Sequence, residues 1–266
     1  MSAPVQLSDR ARSERRLGWA LAGPAFVVML AVTAYPIVQA AYDSLFSLRL
    51  SDPEAEEFVG LSNYAVILSD PIWWRAFGVT VLITVVTVLV ELVIGFALAL
   101  VMHRAVKGLR PLMRTVILIP YATITVVSAF AWQYAFDLNT GFVNAWFSWL
   151  PGIEEGTNWF ADFLPAITVI MASEIWKTTP FISLLLLAGL AQVSDDLTEA
   201  ASVDGATWWQ RMRKVIIPNM KAAIMVALLF RVLDAFRIFD NIFIMTQGSA
   251  GTESVAMLAY RQTISR

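Results

Sequence analysis

The chain has no cysteine and only one histidine, His103, among its 266 residues. The first absence removes thiolate nucleophiles, thiolate metal sites and disulfides. The second leaves no His-rich metal site and no second imidazole to support a Ser–His pair. Charge is scarce as well, at 15% of residues against about 25% in soluble domains. The formal net charge of −2 gives no electrostatic footprint for nucleic acid. No Gly-x-x-x-x-Gly-Lys phosphate loop occurs, and no internal repeat, low-complexity tract or linker divides the chain.

Apolar surface is what the chain has in excess. Hydrophobic residues make up 58% of it, where soluble domains hold about 45–50%. In water much of that surface would stay exposed, whereas a bilayer solvates it. A helix crossing a hydrocarbon core of about 30 Å needs roughly 20 apolar residues. Five segments qualify: 17–45, 76–102, 112–136, 163–191 and 222–245. The expected fold is an all-α integral membrane protein, a polytopic helical bundle of five full spans. Residues 1–266 read as one transmembrane domain, with 1–16 as an N-terminal tail. The stretch after residue 245 does not complete another span, so a sixth helix is expected to be missing. The basic start and the apolar stretch behind it resemble a signal peptide. That stretch, 17–35, exceeds the usual apolar region of about 7–15 residues, so an uncleaved first span is expected.

Loop charges predict the orientation. Arg10, Arg12, Arg15 and Arg16 precede the first span. The next loop holds Asp52, Glu54, Glu56, Glu57 and Asp70 against Arg49 and Arg75. Then come Arg104, Lys107, Arg110 and Arg114 with no acid, followed by Asp137, Glu154, Glu155 and Asp162 with no base. The loop between the fourth and fifth segments carries Arg211, Arg213, Lys214 and Lys221. Basic loops face the cytoplasm, so the N-terminus and the loops near 104–114 and 192–221 are expected inside. Trp19, Trp73, Trp74, Trp146, Trp149 and Trp159 fit an interfacial aromatic belt.

The loop at 194–214 is the most informative stretch. Ser194 ahead of Asp195 and Asp196 predicts a helix N-cap with favourable first-turn charge. Glu199, Ala200 and Ala201 continue a short helix with small side chains. Gly205 is a natural stop, since glycine takes positive φ without a clash. A second helix is expected from Trp208. The product is a short cytoplasmic helix–turn–helix that another protein can approach closely.

These residues carry a resemblance. Glu199-Ala200-Ala201, then Gly205 after three residues, then Val215-Ile216-Ile217-Pro218 after nine more, resemble the EAA loop of bacterial ABC-importer permeases. That pattern has Ile and Leu where this chain has Val215 and Ile217. Asp204-Gly205-Ala206, Gly60-Leu61-Ser62-Asn63-Tyr64, Trp176-Lys177-Thr178-Thr179-Pro180-Phe181, Phe236-Arg237-Ile238-Phe239-Asp240 and Thr246-Gln247-Gly248 are similar to motifs of its carbohydrate branch. The maltose, glycerol-phosphate and trehalose importer group is the one resembled, in its maltose-type first permease. The resemblance implies the type I ABC importer permease fold in a bacterial plasma (inner) membrane. It implies a second permease, two ATPase subunits and an extracytoplasmic sugar-binding protein or lipoprotein as partners. It implies that Glu199, Ala200, Ala201, Asp204 and Gly205 couple to an ATPase cleft. ATP and Mg would be used by those ATPase subunits, with no cofactor on this chain and no catalytic residue of its own. The solute it favours is a disaccharide such as trehalose or maltose; Lys177, Arg231 and Arg237 leave glycerol phosphate open.

Ionisable groups inside spans are expensive and therefore informative. Glu174, Lys177, Thr178 and Phe181 share one face of the fourth segment at i, i+3, i+4 and i+7 spacing. Arg231, Asp234, Ala235 and Ile238 do the same in the fifth. Such faces suit a polyhydroxyl solute. The resemblance places its sugar site along these two stretches, although the residue types differ. The other reading is structural: Glu174 with Lys177 and Arg231 with Asp234 as i,i+3 ion pairs, or pairing between the helices. Glu91 reads as a buried partner, His103 as a cap or snorkelling group, and Asp240 as an outer gate or partner contact. Pro24, Pro36, Pro120 and Pro180 predict interruptions or kinks. A secondary transporter or channel not driven by ATP is the alternative function, although such chains carry internal repeats. An intramembrane enzyme would need a recognisable nucleophile–base set; with one His and no Cys, paired membrane acids are the only route to one.

Overall fold

The computed structural model describes residues 9–49, 52–105, 108–149 and 156–264. Residues 1–8 of the expected tail, Lys107, Glu154 and Glu155 lie outside them. The chain forms two units, Met1–Asp70 and Pro71–Arg266.

In the first unit, helix α1 runs Asp9–Asp43. Residues 10–16, read as tail, are its first turns. Its apolar residues lie on every face, and none in the window Arg16–Asp43 is buried, as suits a helix solvated by lipid or by another chain. A hairpin that hydropathy did not foretell follows: β1, Phe46–Arg49, pairs antiparallel with β2, Asp52–Phe58. Phe46 faces Phe58 with ring centroids 5.3 Å apart. Helix α2, Ser62–Ser69, is tied back by the motif residues 60–64. Asn63 Nδ2 donates to the carbonyls of Ser44 and Phe46, each at 2.9 Å, and the Tyr64 and Ser44 hydroxyls meet at 2.6 Å.

The second unit is built on α3, Pro71–Arg104, and α7, Phe163–Leu190. Both are long and apolar enough to cross a membrane. They approach closely because α3 has glycine where it meets α7: a Cβ on Gly95 would lie 2.8 Å from Ile182 Cγ2. Small residues replace hydrophobic drive where lipid is as apolar as the helices. Gly189 serves the same purpose against Ala223 of α11, Lys221–Ala235.

Two expected spans are not continuous. Segment 112–136 is α4, Arg110–Ala122, and α5, Thr125–Ala135, bent by 84°. Pro120 cannot donate to the ladder, and Thr123 leaves the helix in an extended conformation. Segment 222–245 is α11 and α12, Asp240–Met245, separated at residues 236–239. Ser254 Oγ donates to the Ile238 carbonyl at 2.9 Å, so a backbone group freed by the break is satisfied. Hydropathy counts composition and is blind to such breaks. Among the described residues three helices are singly long and apolar enough to cross a membrane, and a fourth is counted if the bent α4–α5 pair is one span. After α12 the chain turns through Gln247, Gly248, Ala250 and Gly251, all at positive φ, into α13, Val255–Ile264.

The short helix α6, Phe142–Phe147, holds Asn144, which accepts from Trp159 Nε1 at 2.7 Å. Trp159 also packs edge-on against Phe136, so it is a packed corner residue as well as an aromatic near the expected interface. Before α6, Asp137 Oδ1 accepts from Asn139 N, Thr140 N and Thr140 Oγ1. Those hydrogen bonds hold its carboxyl below the usual range.

The core has two apolar clusters. One joins Val79, Ile83, Ile167, Ile170, Ile238 and Ile242. The other joins Ala99, Met102, Ile182, Leu186, Met220 and Ala227. Between them in the sequence of α3, α7 and α11 come Glu91, Glu174, Thr178 and Arg231, all buried.

Candidate functional site: a buried charge belt, a polar cavity and an exposed helical turn

Arg231 is the centre of the belt. Its side chain is 1% exposed and Glu91 is fully buried. Arg231 Nε donates to Glu91 Oε2 at 2.5 Å and Nη2 to Glu91 Oε1 at 3.0 Å, a bidentate fork. Nη2 also reaches Glu174 Oε1 at 2.7 Å, and Nη1 reaches Asp234 Oδ2 at 2.6 Å. Three carboxylates from three helices therefore converge on one guanidinium. Thr178 Oγ1 lies 2.7 Å from Glu91 Oε1 and 2.6 Å from the Glu174 carbonyl, and its one proton serves either. Of the pairings weighed from sequence, Arg231–Asp234 at i,i+3 and a pair between the two helices, Arg231–Glu174, are present. Glu174 does not pair with Lys177; it is taken by Arg231 across the helix interface. Helix spacing finds same-face neighbours and is blind to a longer arm from another helix.

Above one side of this belt lies a cavity of about 250 Å³. Glu174, Lys177, Thr178, Asp234 and Ile238, from the two helical faces, line it. Arg231 does not; it sits beneath, engaged by its carboxylates. Phe181 does not either; it stacks on Tyr121 with centroids 5.4 Å apart. Lys177 Nζ lies 5.7 Å from the centroid of the same Tyr121 ring, a cation–π contact that leaves its charge available. Both chain breaks open here. Thr125 comes from the start of α5, Arg237 and Phe239 from the gap between α11 and α12, and Asp240 from the first turn of α12. Broken helices at membrane depth are tolerated where they line a cavity.

Sequence reasoning missed Thr125 and Asn241. Asn241 is 2% exposed, and its Nδ2 donates to Glu174 Oε2 at 2.7 Å. That contact orients the amide and leaves Oδ1 buried with no donor among the described residues. A buried acceptor without a partner costs about 1–3 kcal/mol until something donates to it. The cavity is thus lined by carboxylates and two cations, while the Asn241 amide oxygen is buried. It can hold hydroxyl groups; it holds no nucleophile–base pair.

The loop of 194–214 folds as its capping signals predict. Ser194 Oγ accepts from Asp196 N at 3.2 Å at the start of α8, Asp195–Val203. Gly205 has φ +77, with Ala206 N to Ala201 O at 2.9 Å and Gly205 N to Ser202 O at 3.1 Å. This pair of bonds is the Schellman stop. Thr207 and Gln210 form a capping box that starts α9, Trp208–Arg211. A five-residue π-helix, Met212–Ile216, follows, then α10, Ile217–Asn219, with Pro218 inside it. Glu199, Ala200, Asp204 and Gly205 are exposed and Ala201 is half-buried. Nothing lies within 4 Å of the place where a Gly205 Cβ would sit, so backbone conformation and not space demands glycine there.

Residues 92–262 match the family model described as "Binding-protein-dependent transport system inner membrane component". The chain is 50% identical over 248 residues to the trehalose transport system permease protein SugA of Mycobacterium tuberculosis, covering 93% of this chain and 78% of that one. It is 36% identical over 249 residues to the trehalose/maltose transport system permease protein MalF of Thermococcus litoralis, covering 93% and 83%. Among solved structures, a chain of the bacterial alginate ABC transporter in complex with an alginate pentasaccharide-bound periplasmic protein superposes with a TM-score of 0.76 at 21% identity, over 95% of this chain and 85% of that one. The family match spans the charge belt apart from Glu91, the cavity, the α8–α9 turn and most of α13, more than half of the chain, and the chain belongs to the family of inner-membrane components of binding-protein-dependent transport systems.

Proposed function

We propose that this chain pairs with a second permease to form the path by which a sugar, delivered by an extracytoplasmic binding protein, is imported at the expense of ATP. The exposed α8–α9 turn carries this reading. Its N-cap, Schellman stop and capping box make a rigid knob that projects small side chains and Glu199. A rigid knob transmits force; a flexible loop would absorb it. Two ATPase subunits supply the hydrolysis, one of them receiving this knob, and ATP and Mg bind to them. The chain has no ATPase site and acts as a transport subunit only. Its N-terminus faces the cytoplasm, with the basic loops. Residues 1–266 act as one transmembrane domain, with 194–214 as its coupling loop.

The cavity holds the solute in transit. Glu174, Thr178, Asp234 and Asn241 accept from hydroxyls, and Lys177 and Arg237 donate. The names of the relatives favour a disaccharide, trehalose first. The test is the whole assembly in proteoliposomes, with binding protein, ATP and labelled trehalose or maltose. ATP-dependent uptake of trehalose is expected. Uptake that persists after the ATPase subunits are left out would overturn the reading.

A further inference from the structure

Where α3 ends, a second cavity of about 250 Å³ opens between its last turn, the end of α7 and the α8–α9 turn. Leu100, Leu190, Val193 and Ile216 make an apolar floor. His103, Arg104 and Arg211 stand around it. Both guanidinium groups are held by contacts that leave their charge intact. Arg104 lies over Trp208, 5.9 Å from the ring centroid, and Arg211 donates to the Ser202 hydroxyl. Asp195 also lines the cavity. Among the described residues neither arginine forms an ion pair with it or with any other carboxylate.

Two guanidinium groups facing one carboxylate leave a net positive charge over apolar walls. Guanidinium forks match the oxygens of a phosphate. Basic pockets between helices at a cytoplasmic membrane surface suit phospholipid head groups. The floor adds what a free anion does not need, a place for the glycerol and first methylenes of a lipid.

We propose that this cavity binds a phosphate-bearing anion, with an anionic phospholipid of the inner leaflet as its source. The inference rests on the proposed cytoplasmic placing of the α8–α9 turn. A bound head group bridges Arg104 on α3 and Arg211 on α9, and so braces the coupling turn against the bilayer.

The test uses the complete importer in nanodiscs of phosphatidylcholine, alone or mixed with phosphatidylglycerol. Wild type, Arg104→Gln/Arg211→Gln and Arg213→Gln are compared. Arg213 is exposed and does not line the cavity, so its variant controls for general surface charge. Native mass spectrometry reads retained lipid, and binding-protein-stimulated ATPase reads the consequence. Wild type and Arg213→Gln retain phosphatidylglycerol, and the double variant retains it roughly tenfold less or worse, since each basic group near the surface contributes appreciably. Stimulated ATPase rises with phosphatidylglycerol in the first two and not in the third. If inorganic phosphate added to phosphatidylcholine discs reproduces the rise, and the double variant abolishes that too, the site stands with a soluble anion as its source. Equal lipid retention and equal lipid response in the double variant overturn the proposal. So does a double variant that sheds the ATPase subunits while wild type shows no lipid preference, because the arginines then serve the protein contact. A Glu199→Lys assembly that binds the lipid normally but is not stimulated separates this site from the coupling reading.

Discussion

At the residue scale, the structure assigns Arg231 and Glu91 a different task from the groups that line the cavity. Glu91 is clamped by both Nε and Nη2 of Arg231, so neither is free to meet a solute. Removing one partner of a buried pair leaves a charge unmatched, at a cost of about 3–5 kcal/mol. Arg231→Ala is therefore expected to lower the thermal midpoint of the detergent-purified assembly sharply. Glu91→Leu and Glu174→Gln combined with Arg231→Met should recover much of that loss, since both buried carboxylates that face the guanidinium are then replaced with it. A triple variant no more stable than Arg231→Ala would contradict a packing role for Arg231. Asn241 sits on the other side of the division. Asn241→Leu is expected to raise the uptake KM by roughly tenfold, the value of one hydrogen bond to a buried acceptor, with a smaller change in maximal rate. Helical spacing makes Glu174, Lys177, Asp234 and Ile238 legible in the sequence as cavity groups. Asn241 is not legible in that way, because it follows a break in the helix and so falls out of the i, i+3, i+4 register.

At the scale of elements, the α8 stop depends on a single backbone angle. Gly205 at φ +77 costs an L residue about 1–2 kcal/mol. Gly205→Ala should cut uptake while the protein still reaches the membrane, and Gly205→Asn should retain more activity, because asparagine tolerates the left-handed region. Gly205→Arg should abolish it. Uptake by whole cells, normalised to the permease present in the membrane, separates the three. Helix packing gives a second expectation. A Cβ at Gly95 meets Ile182 and the backbone of Ser183, and overpacking costs about 1–3 kcal/mol. Gly95→Leu should thus destabilise the assembly in a melting assay, whereas leucine at Gly78, which has nothing within 4 Å, should not. The caps of α8 are legible in the sequence, since Ser194 and Gly205 act on their immediate neighbours. The hairpin β1–β2 and the breaks at 123–124 and 236–239 are not. Hydrophobic composition runs through both breaks without a change, and only tertiary contacts, such as Ser254 with the Ile238 carbonyl, make a broken helix tolerable in lipid.

For the whole molecule, the belt, the cavity and the α8–α9 turn are linked through α7 and α11. Belt residues come from α3, α7 and α11, and the turn joins the end of α7 to the start of α11 through α8, α9 and the π-helix. π-segments often mark functional sites in helices, and here one lies between the knob and Pro218. The chain runs from α8 through α9, the π-helix and α10 into α11, which carries Arg231. The breaks in α4–α5 and α11–α12 place irregular backbone beside the cavity, while α3 and α7 stay whole as the frame. The membrane class and the caps of the α8–α9 turn are local properties and can be read from one sequence; the meeting of Glu91, Glu174 and Arg231 is a product of tertiary packing and cannot. The decisive measurement is binding-protein-stimulated ATPase of the reconstituted assembly carrying Glu199→Lys. Glu199 is exposed on α8 and holds no core together. The account predicts normal amounts of assembled complex, basal ATPase that no longer rises with sugar-loaded binding protein, and no uptake. Wild-type stimulation and uptake by that variant would contradict it.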